Sequence, residues 1–549
     1  MMSNDSREVP GIGIGNGAGD GRSEGPGATT RRDGSPGGGG ISARWARIER
    51  LWWVALVVTM GIFSALPIVN LALGLSTKDY GLWYQVGLAE GQGFDVYPRP
   101  ETGRLFPFMY PPSAAAMLGV LARLGPVGML IALVAINSAS WLACIALSTY
   151  LVAGPGGRRH PLVVIVPTLS VIVLIHNIYL LGQPNLMLLA MVLGAFACLR
   201  VNRPVASGFL VATAAAVKAF PLLILGYFVY RRMWRASIAT VLSLAAWLLI
   251  APLPFRTLAQ AVDDVSVWSQ GMLFTYDKHG IAQRPLRSYS YKNQSIMAVM
   301  HRMLRDVPAD GEAILSGRSH AAPGTVRPTK GLPPVDPSTD LLTFLKPHHR
   351  GEGGTSPAEP AARWEEDIRR AEPALRASWR VNLVSLDFRS VTLVTLATMA
   401  ALSLFAWAML PPLRLRTRET DALEFAIVAL LTVVFSPLSF NYAYVWMMYP
   451  TALALHRILG DPGASVRLRS RGAIAWIAAV LAIPMLAIVS PKGAQACGNL
   501  FVPAILLVVG LGLMLRGEWK RSSVGTTSTT PAPHLRPAST SVGAEAARG

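Results

Sequence analysis

Long apolar blocks alternate with short, arginine-rich connections along most of this chain. A bilayer-spanning helix takes about 20 residues, and blocks of roughly that length recur between residues 52 and 515. This pattern predicts an all-α, polytopic membrane protein, a bundle of about 11–13 transmembrane helices. The candidate spans are 52–74, 127–153, 161–181, 184–200, 205–230, 234–252, 389–412, 425–440, 442–458, 472–490 and 499–515.

The basic connections orient the spans, because cytoplasmic loops carry an excess of Lys and Arg. RWARIER (44–50) on the inside puts residues 75–126 outside. The other basic connections then stay inside if 205–230 forms two short helices that meet at Lys218 and 111–124 lies in the interface. In the alternative, 111–124 is a full span and 205–230 one long helix. We favour the first topology because 111–124 is short and contains Arg123.

Composition divides the chain into three parts. Gly-, Ser- and Arg-rich residues 1–45 and residues 516–549 are expected to be disordered cytoplasmic tails around a transmembrane domain, 46–515. Two long segments, 75–126 and 253–388, lie outside the membrane in the favoured topology. The first is expected to contain interfacial helices, and the second a mobile insert at about 306–360. Residues 361–380 predict a surface helix touching lipid, which Pro373 kinks or divides.

Charge excludes other classes of protein. Only 15% of residues are charged and 52% are hydrophobic, against roughly 25% charged in soluble domains. The net charge is +19, but the basic residues lie between apolar blocks, so no nucleic-acid partner is expected. The three cysteines form no metal-binding pair, and the acidic residues show no metal-ligand spacing. No metal or cofactor is therefore expected.

Lys218, in AAAVKAFPLL (214–223), is a cation well inside a candidate span. Such a charge costs at least ~2.5–3.5 kcal/mol on insertion scales, which makes it a functional candidate. Pro221, three residues later, supports a broken helix. The functional interpretation is that the lysine holds an anionic headgroup or phosphate. The alternative is a lysine that snorkels to the interface.

Asp79, in STKDYGLWYQVG (76–87), follows the first span. Taken alone, it is explained about equally well by a role in a site and by the simpler alternative, in which the acid is solvated or paired with Lys78. Under the favoured topology it shares a membrane face with polar residues of LGQPNLM (181–187), YKNQSIM (291–297) and FSPLSFNYAYVW (435–446), and with Lys218. A plain turn also explains Pro184 and Asn185. Convergence of these five segments on one face nevertheless predicts a site.

Six segments of the chain form a recognisable series. They are KDYGLWYQVGLAEGQGFDVY (78–97), FMYPPSAAAML (108–118), GQPNLMLLAMVLG (182–194), AAAVKAFPLLIL (214–225), NQSIMAVMHRML (293–304) and SPLSFNYAYVWMMYP (436–450). Together they resemble glycosyltransferase family 87, membrane mannosyltransferase-like enzymes with the GT-C architecture, and they follow the family's order across most of residues 50–515. The chain departs from the family after the Ser-Pro pair, where the family often has a histidine and this chain has Asn441, Tyr442 and Ala443.

The resemblance implies a hexosyltransferase of the cell envelope. The donor would be mannose or a related hexose linked to polyprenyl phosphate, used on the exoplasmic side of the cell membrane, with both termini cytoplasmic. The acceptor would be a lipid or a glycan in or at the lipid bilayer. The family's acid in the first outer loop corresponds to Asp79, as catalytic base, and its broken-helix lysine corresponds to Lys218.

The chemistry needs few groups. A carboxylate can take the proton of the acceptor hydroxyl, and one base acting directly inverts the anomeric carbon. A cation stabilises the leaving lipid phosphate, which is the role expected of Lys218, with Arg284, Arg287 and Lys292 as helpers. The rival classes are a lipid or small-molecule transporter or flippase without catalysis, and an assembly factor. The expected sugar or acceptor contacts are Tyr80, Tyr84, Gln183, Asn185, Asn293, Gln294, Ser439, Asn441 and Tyr442.

Overall fold

The computed structural model describes most of the chain and divides it at Arg50 into Met1–Arg50 and Leu51–Gly549. Helix extends into both predicted tails, and their remaining residues lie outside the described ranges, as do Arg284 and nearly all of the 306–360 insert. The described residues are 38–93, 96–97, 108–157, 159–274, 276–281, 286–311, 359–459 and 471–525.

The first half of the chain is a series of helices joined by short turns. Proline stands at the start of several of them, where its missing N–H leaves no helical bond unmade. They are α1 (Gly38–Ala72), α2 (Asp79–Gly91), α3 (Pro112–Ala122), α4 (Gly125–Ala153), α5 (Leu162–Ser170), α6 (Ile172–Leu181), α7 (Asn185–Arg200), α8 (Pro204–Val217), α9 (Leu223–Tyr230), α10 (Trp234–Leu249) and α11 (Leu258–Ser269).

The second half adds a small antiparallel pair of strands and further helices. Asp387 begins α14 by accepting hydrogen bonds from the N–H groups of Arg389 and Ser390. The elements are β1 (Tyr276–Asp277), β2 (Gly280–Ile281), α12 (Ile296–Leu304), α13 (Glu359–Arg376), α14 (Phe388–Met409), α15 (Arg418–Phe435), α16 (Met448–Leu459), α17 (Arg471–Ala482), α18 (Leu486–Val489), α19 (Pro491–Ala496) and α20 (Phe501–Gly525).

The all-α, polytopic class is confirmed. Five helical stretches in the described residues are long and apolar enough to cross a membrane: Arg47–Ala72, Gly125–Ala153, Phe388–Met409, Arg471–Val489 and Phe501–Arg521. The pair α5 and α6, bent by 53°, makes a sixth. Most other expected spans correspond to shorter apolar helices, including α7, α8 and α10. The count of 11–13 therefore stays a prediction.

The expected break at Lys218 is present. Helix α8 ends at Val217, Lys218 has extended backbone, and a 3-10 turn, Phe220–Leu222, leads into α9. Two bonds satisfy carbonyl groups at the broken end: Ser113 Oγ donates to the Ala216 carbonyl at 2.6 Å, and Lys218 N–H donates to Ala214 at 3.0 Å. The break therefore leaves a cation accessible without orphaning these carbonyls.

The expectation for residues 361–380 needs correction. Pro373 lies inside α13 and does not divide it. Proline frees the carbonyl four residues earlier, here that of Arg369, and this residue is exposed, so water can satisfy the group. The helix also packs on the outer segment rather than facing only lipid, since Ala371 and Leu375 are buried in a cluster with Tyr289.

Helix α2 is fixed tightly against its neighbours. A Cβ on Gly87 would stand 2.4 Å from the Leu118 carbonyl oxygen, so α2 and α3 approach as closely as backbones allow. At its far end, Glu90 forms a buried ion pair with Arg256 at 2.9 Å, and Arg256 also pairs with Asp264 of α11. These contacts hold in place the helix that begins at Asp79.

Candidate active site

One cavity of about 470 Å³ collects polar side chains from widely separated parts of the chain. Asp79, Gln183, Lys218, Arg287 and Tyr442 all line it. They come from the start of α2, the turn before α7, the break between α8 and α9, the turn after β2, and the segment after α15. The five segments singled out in the sequence thus meet, four of them through these residues and YKNQSIM only next to them.

Asp79 is the first residue of α2, where the helix dipole favours a negative charge. The Gln183 side-chain amide donates a hydrogen bond to Asp79 Oδ2. Lys78, the alternative partner considered from the sequence, is exposed and makes no ion pair within the described ranges. Lys78 also has a φ of 53°, which side-chain-bearing residues rarely adopt. The backbone turn at Lys78 therefore sets the direction of the Asp79 side chain, while the charge of Lys78 stays outside the cavity.

Gln183 links Asp79 to the hydroxyl group of Tyr110. The Tyr110 hydroxyl donates to Gln183 Oε1 at 2.9 Å, while Gln183 Nε2 donates to Asp79. Gln183 follows Gly182, whose φ of 73° ends α6 in the left-handed region. The turn in LGQPNLM is thus both a plain turn and a part of the cavity wall.

The Lys218 ammonium lies among aromatic rings. Its Nζ is 5.4 Å from the ring centroids of Tyr110 and Tyr442 and 5.8 Å from that of Phe220. In the described part of the chain it has no hydrogen bond and no ion pair, although Asp79 and Arg287 act on it electrostatically. A cation so enclosed is suited to receive an anion that enters the cavity. This position favours the functional alternative over snorkelling.

Of the other expected phosphate ligands, one lies in the cavity. Arg287 lines it, with its guanidinium 4.6 Å from the Phe440 ring centroid. Lys292 is exposed, does not line the cavity, and lies 5.7 Å from the Tyr291 ring. Arg284 lies outside the described residues. Lys292 therefore does not join Lys218 in the cavity, and its expected contact with phosphate stays a prediction.

Several predicted sugar contacts are engaged with backbone instead. The buried residues Asn293, Gln294, Arg302 and Ser439 form what we call the outer polar cluster. Asn293 Nδ2 donates to the carbonyls of Ser288 (2.9 Å) and Pro437 (2.8 Å), and its Oδ1 accepts from the N–H of Ser295 and Ser439. These four bonds use the whole amide, so Asn293 is a structural residue.

The rest of the cluster behaves in the same way. Gln294 Nε2 donates to the carbonyls of Tyr291 and Gln495, and Ser439 Oγ donates to that of Val433. Arg302, which the sequence did not single out, donates to backbone carbonyls including those of Ser290 and Ala496. The side chains of Gln294 and Ser439 are thus bonded to backbone carbonyls in this structure, and the expectation that they contact sugar stays a prediction.

Four further candidates do not line the cavity either. The Tyr80 hydroxyl donates to the Tyr179 carbonyl at 2.9 Å, and the Asn441 side chain accepts from the Tyr442 N–H at 2.8 Å. Tyr84 packs beside an apolar cluster. Asn185 is fully buried, and its amide has no hydrogen-bond partner among the described residues. Tyr80 instead positions α2 against the end of α6.

Sequence reasoning missed part of the aromatic wall. Trp83, Tyr110 and Trp268 line the cavity, and Trp83 Nε1 donates to the Gly182 carbonyl at 2.7 Å. Aromatic residues near a membrane face are common at interfaces, which concealed this role. One signal could have identified Tyr110, namely its place in FMYPPSAAAML, one of the six segments of the family resemblance.

The long apolar helices indicate a protein embedded in a membrane. Three of its ionisable side chains, those of Asp79, Lys218 and Arg287, line one cavity. The family model of glycosyltransferase family 87 matches residues 108–315. This match confirms the resemblance predicted from the sequence and indicates a glycosyltransferase. Gln183, Lys218 and Arg287 lie within the matched residues, whereas Asp79 precedes them. No curated protein and no solved structure matches the chain.

Proposed function

We propose that this protein transfers a sugar from a polyprenyl-phosphate donor to an acceptor hydroxyl on the exoplasmic face of the membrane. The sugar is mannose or a related hexose, and the acceptor is a lipid or a glycan. The observation that carries the proposal is that Asp79 and Lys218 line the same cavity. A base and a cation facing one space are the two groups that this reaction requires.

In the proposed step, the acceptor hydroxyl oxygen attacks the anomeric carbon while Asp79 takes its proton. The bond from that carbon to the phosphate oxygen breaks, and its electron pair leaves with the phosphate. Lys218 and Arg287 compensate the charge that grows on the phosphate. Gln183 donates a hydrogen bond to Oδ2 of the Asp79 carboxylate, which orients the base in the cavity. A single displacement of this kind inverts the anomeric configuration.

The cavity also suits a lipid-linked donor. Its volume of about 470 Å³ falls in the usual range of ligand sites, about 300–1,000 Å³. Most of the remaining lining is apolar, and Leu223 and Leu273 are about half exposed at its margin. A polyprenyl chain can follow such a surface into the bilayer. A neighbouring apolar cavity of about 190 Å³ shares Trp83, Tyr110 and Gln183 and offers room for more lipid chain.

The test is turnover by the purified protein. We expect that one member of a panel of polyprenyl-phosphate sugars, given with lipid acceptors, releases free polyprenyl phosphate and yields an inverted product. Asp79→Asn should abolish release while donor binding remains. The matched control is Asp263→Asn, an exposed acid of α11 away from the cavity. Lipid movement across vesicles without sugar transfer, undiminished in Asp79→Asn, would instead favour a flippase.

A further inference from the structure

A second cavity, of about 640 Å³, lies at the opposite end of the bundle from the active site. It is lined by residues at the end of α9, the end of α14 and the connection that follows. Helix α9 starts beside the Lys218 break and ends at Tyr230, and α14 starts at Phe388 on the outer segment and ends at Met409. At 1.5 Å per residue, α14 is about 33 Å long, enough to separate the two faces of a bilayer.

The floor of this cavity is rigidly built. Arg231 is buried and forms an ion pair with Glu424, in which its Nε donates to Oε2 at 2.9 Å. Its Nη1 donates to the Pro411 carbonyl at 3.0 Å. Arg231 thus joins α9, α15 and the connection after α14. Glu424 compensates its charge, so Arg231 shapes the cavity without supplying net charge to it.

Two other arginines give the cavity its charge. Arg232 and Arg414 line it and are exposed, and within the described ranges neither side chain has a hydrogen bond or an ion pair. No Asp or Glu is among the described residues of the lining. Arg416, two residues after Arg414, is by contrast paired with Asp421 at 2.8 Å. The cavity therefore presents two uncompensated guanidinium groups.

The backbone conformation of Arg232 does not favour an arginine at this position. Arg232 has a φ of 55°, and Met233 N–H bonds to the Phe228 carbonyl at 2.8 Å, which is a Schellman helix end. Glycine or asparagine favours this position. The equivalent residue after α7 is Asn202, also at φ 55°. The guanidinium of Arg232 contributes nothing to this turn.

Aromatic residues place the cavity at headgroup level. Tyr230 and Trp407 line it and are 46% and 59% exposed, as is usual for rings in the membrane interface. Guanidinium groups bind phosphate oxygens in a two-point geometry, and basic pockets between spans are suited to anionic headgroups. We propose that this cavity binds the headgroup of an anionic phospholipid, in the leaflet opposite to the one at the active site.

The test compares lipids and variants of the full-length protein. Native mass spectrometry in detergent would measure binding of phosphatidylglycerol and phosphatidylcholine, with inorganic phosphate as a competitor. We expect phosphatidylglycerol to bind more tightly, and Arg232→Asn and Arg414→Gln each to weaken it about fivefold, the effect of one interfacial basic residue. Arg235→Gln, an exposed arginine outside the cavity, should change binding less than twofold.

Arg232→Asn separates binding from folding. Asparagine tolerates the left-handed backbone, so the midpoint of thermal unfolding without added lipid should stay the same or rise while binding falls. Equal binding of both lipids, or equal loss in Arg235→Gln, would overturn the proposal. So would displacement of phosphatidylglycerol by equimolar inorganic phosphate, because the cavity would then be a site for a free anion.

Discussion

The cavity of the candidate active site and the outer polar cluster contain similar side chains on neighbouring segments, but the hydrogen bonds of these side chains differ. In the cluster, Asn293 makes four hydrogen bonds to backbone and none of its polar atoms remains for a ligand. In the cavity, the Lys218 ammonium lies near three aromatic rings and, among the described residues, has no hydrogen bond and no ion pair. Hydrogen bonding, more than residue type, distinguishes a structural polar group from one that is ready to bind.

The largest effect is expected in the cavity, for Asp79→Asn. The substitution keeps the shape of the side chain and removes the base. Turnover should fall by about 10²–10⁴-fold, the usual contribution of general acid–base catalysis. Transfer to the acceptor is the measurement, with donor affinity determined in parallel. Unchanged turnover in Asp79→Asn, or an equal loss in Asp263→Asn, would show that Asp79 does not act as the base in this cavity.

Lys218→Gln should have the next largest effect. Loss of one preorganised charge-stabilising group typically costs about 10²–10³-fold in turnover. Lys292→Gln is the comparison, because Lys292 carries the same charge on an exposed side chain outside the cavity. We expect it to change turnover less than twofold. Equal losses in the two variants would mean that overall positive charge, and not the enclosed position of Lys218, supports the reaction.

In the cluster, Asn293→Ala should act on stability instead of chemistry. It leaves the N–H groups of Ser295 and Ser439 and the carbonyl of Ser288 without the partner they have now, whereas the Pro437 carbonyl keeps the Ser295 hydroxyl at 3.2 Å. Each buried unsatisfied group costs about 1–3 kcal/mol, so a loss of about 3 kcal/mol in the free energy of unfolding is expected. Thermal unfolding in detergent measures it, with Asn382→Ala as control, because the Asn382 hydrogen bonds to Val384 and Ser385 are exposed. A lower kcat of the folded fraction with unaltered unfolding would contradict the structural role.

Gln183→Leu tests a residue that lines the cavity and is also hydrogen-bonded within the protein, to Tyr110 and Asp79. We expect kcat to fall about tenfold with little change in donor KM. Gln183→Asn, which keeps an amide, is the conservative control and should lose less kcat than Gln183→Leu. A loss of folded protein with an unchanged kcat of the folded fraction would show that Gln183 only packs.

Much of the fold and part of the candidate site could be predicted from the sequence. The residues that were misplaced have a common cause. Hydropathy placed the helices, and the rarity of intramembrane charge marked Lys218 with its broken helix. Asn293, Gln294 and Ser439 were chosen because they are polar and near one face. Their partners are backbone groups of segments remote in sequence, such as Pro437 and Gln495, and no local pattern predicts those pairings. Trp83 and Tyr110 were missed because interfacial aromatics are expected anyway.

The smallest effect is expected for Lys78→Gly. Together with Lys218→Gln, this variant compares an exposed lysine with an enclosed one, both in relation to Asp79. Lys78 is exposed and has the φ of 53° that glycine adopts without strain. Glycine there relieves strain but loosens the unfolded chain, so the free energy of unfolding should change by less than about 1 kcal/mol. Turnover should stay within about twofold of the wild type, because the Lys78 charge does not face the cavity. Lys78→Gln, which removes the charge but keeps the strained backbone, is the matched control. A tenfold loss in both variants would show that the charge of Lys78 acts on Asp79, and the distinction between an enclosed and an exposed lysine would no longer hold.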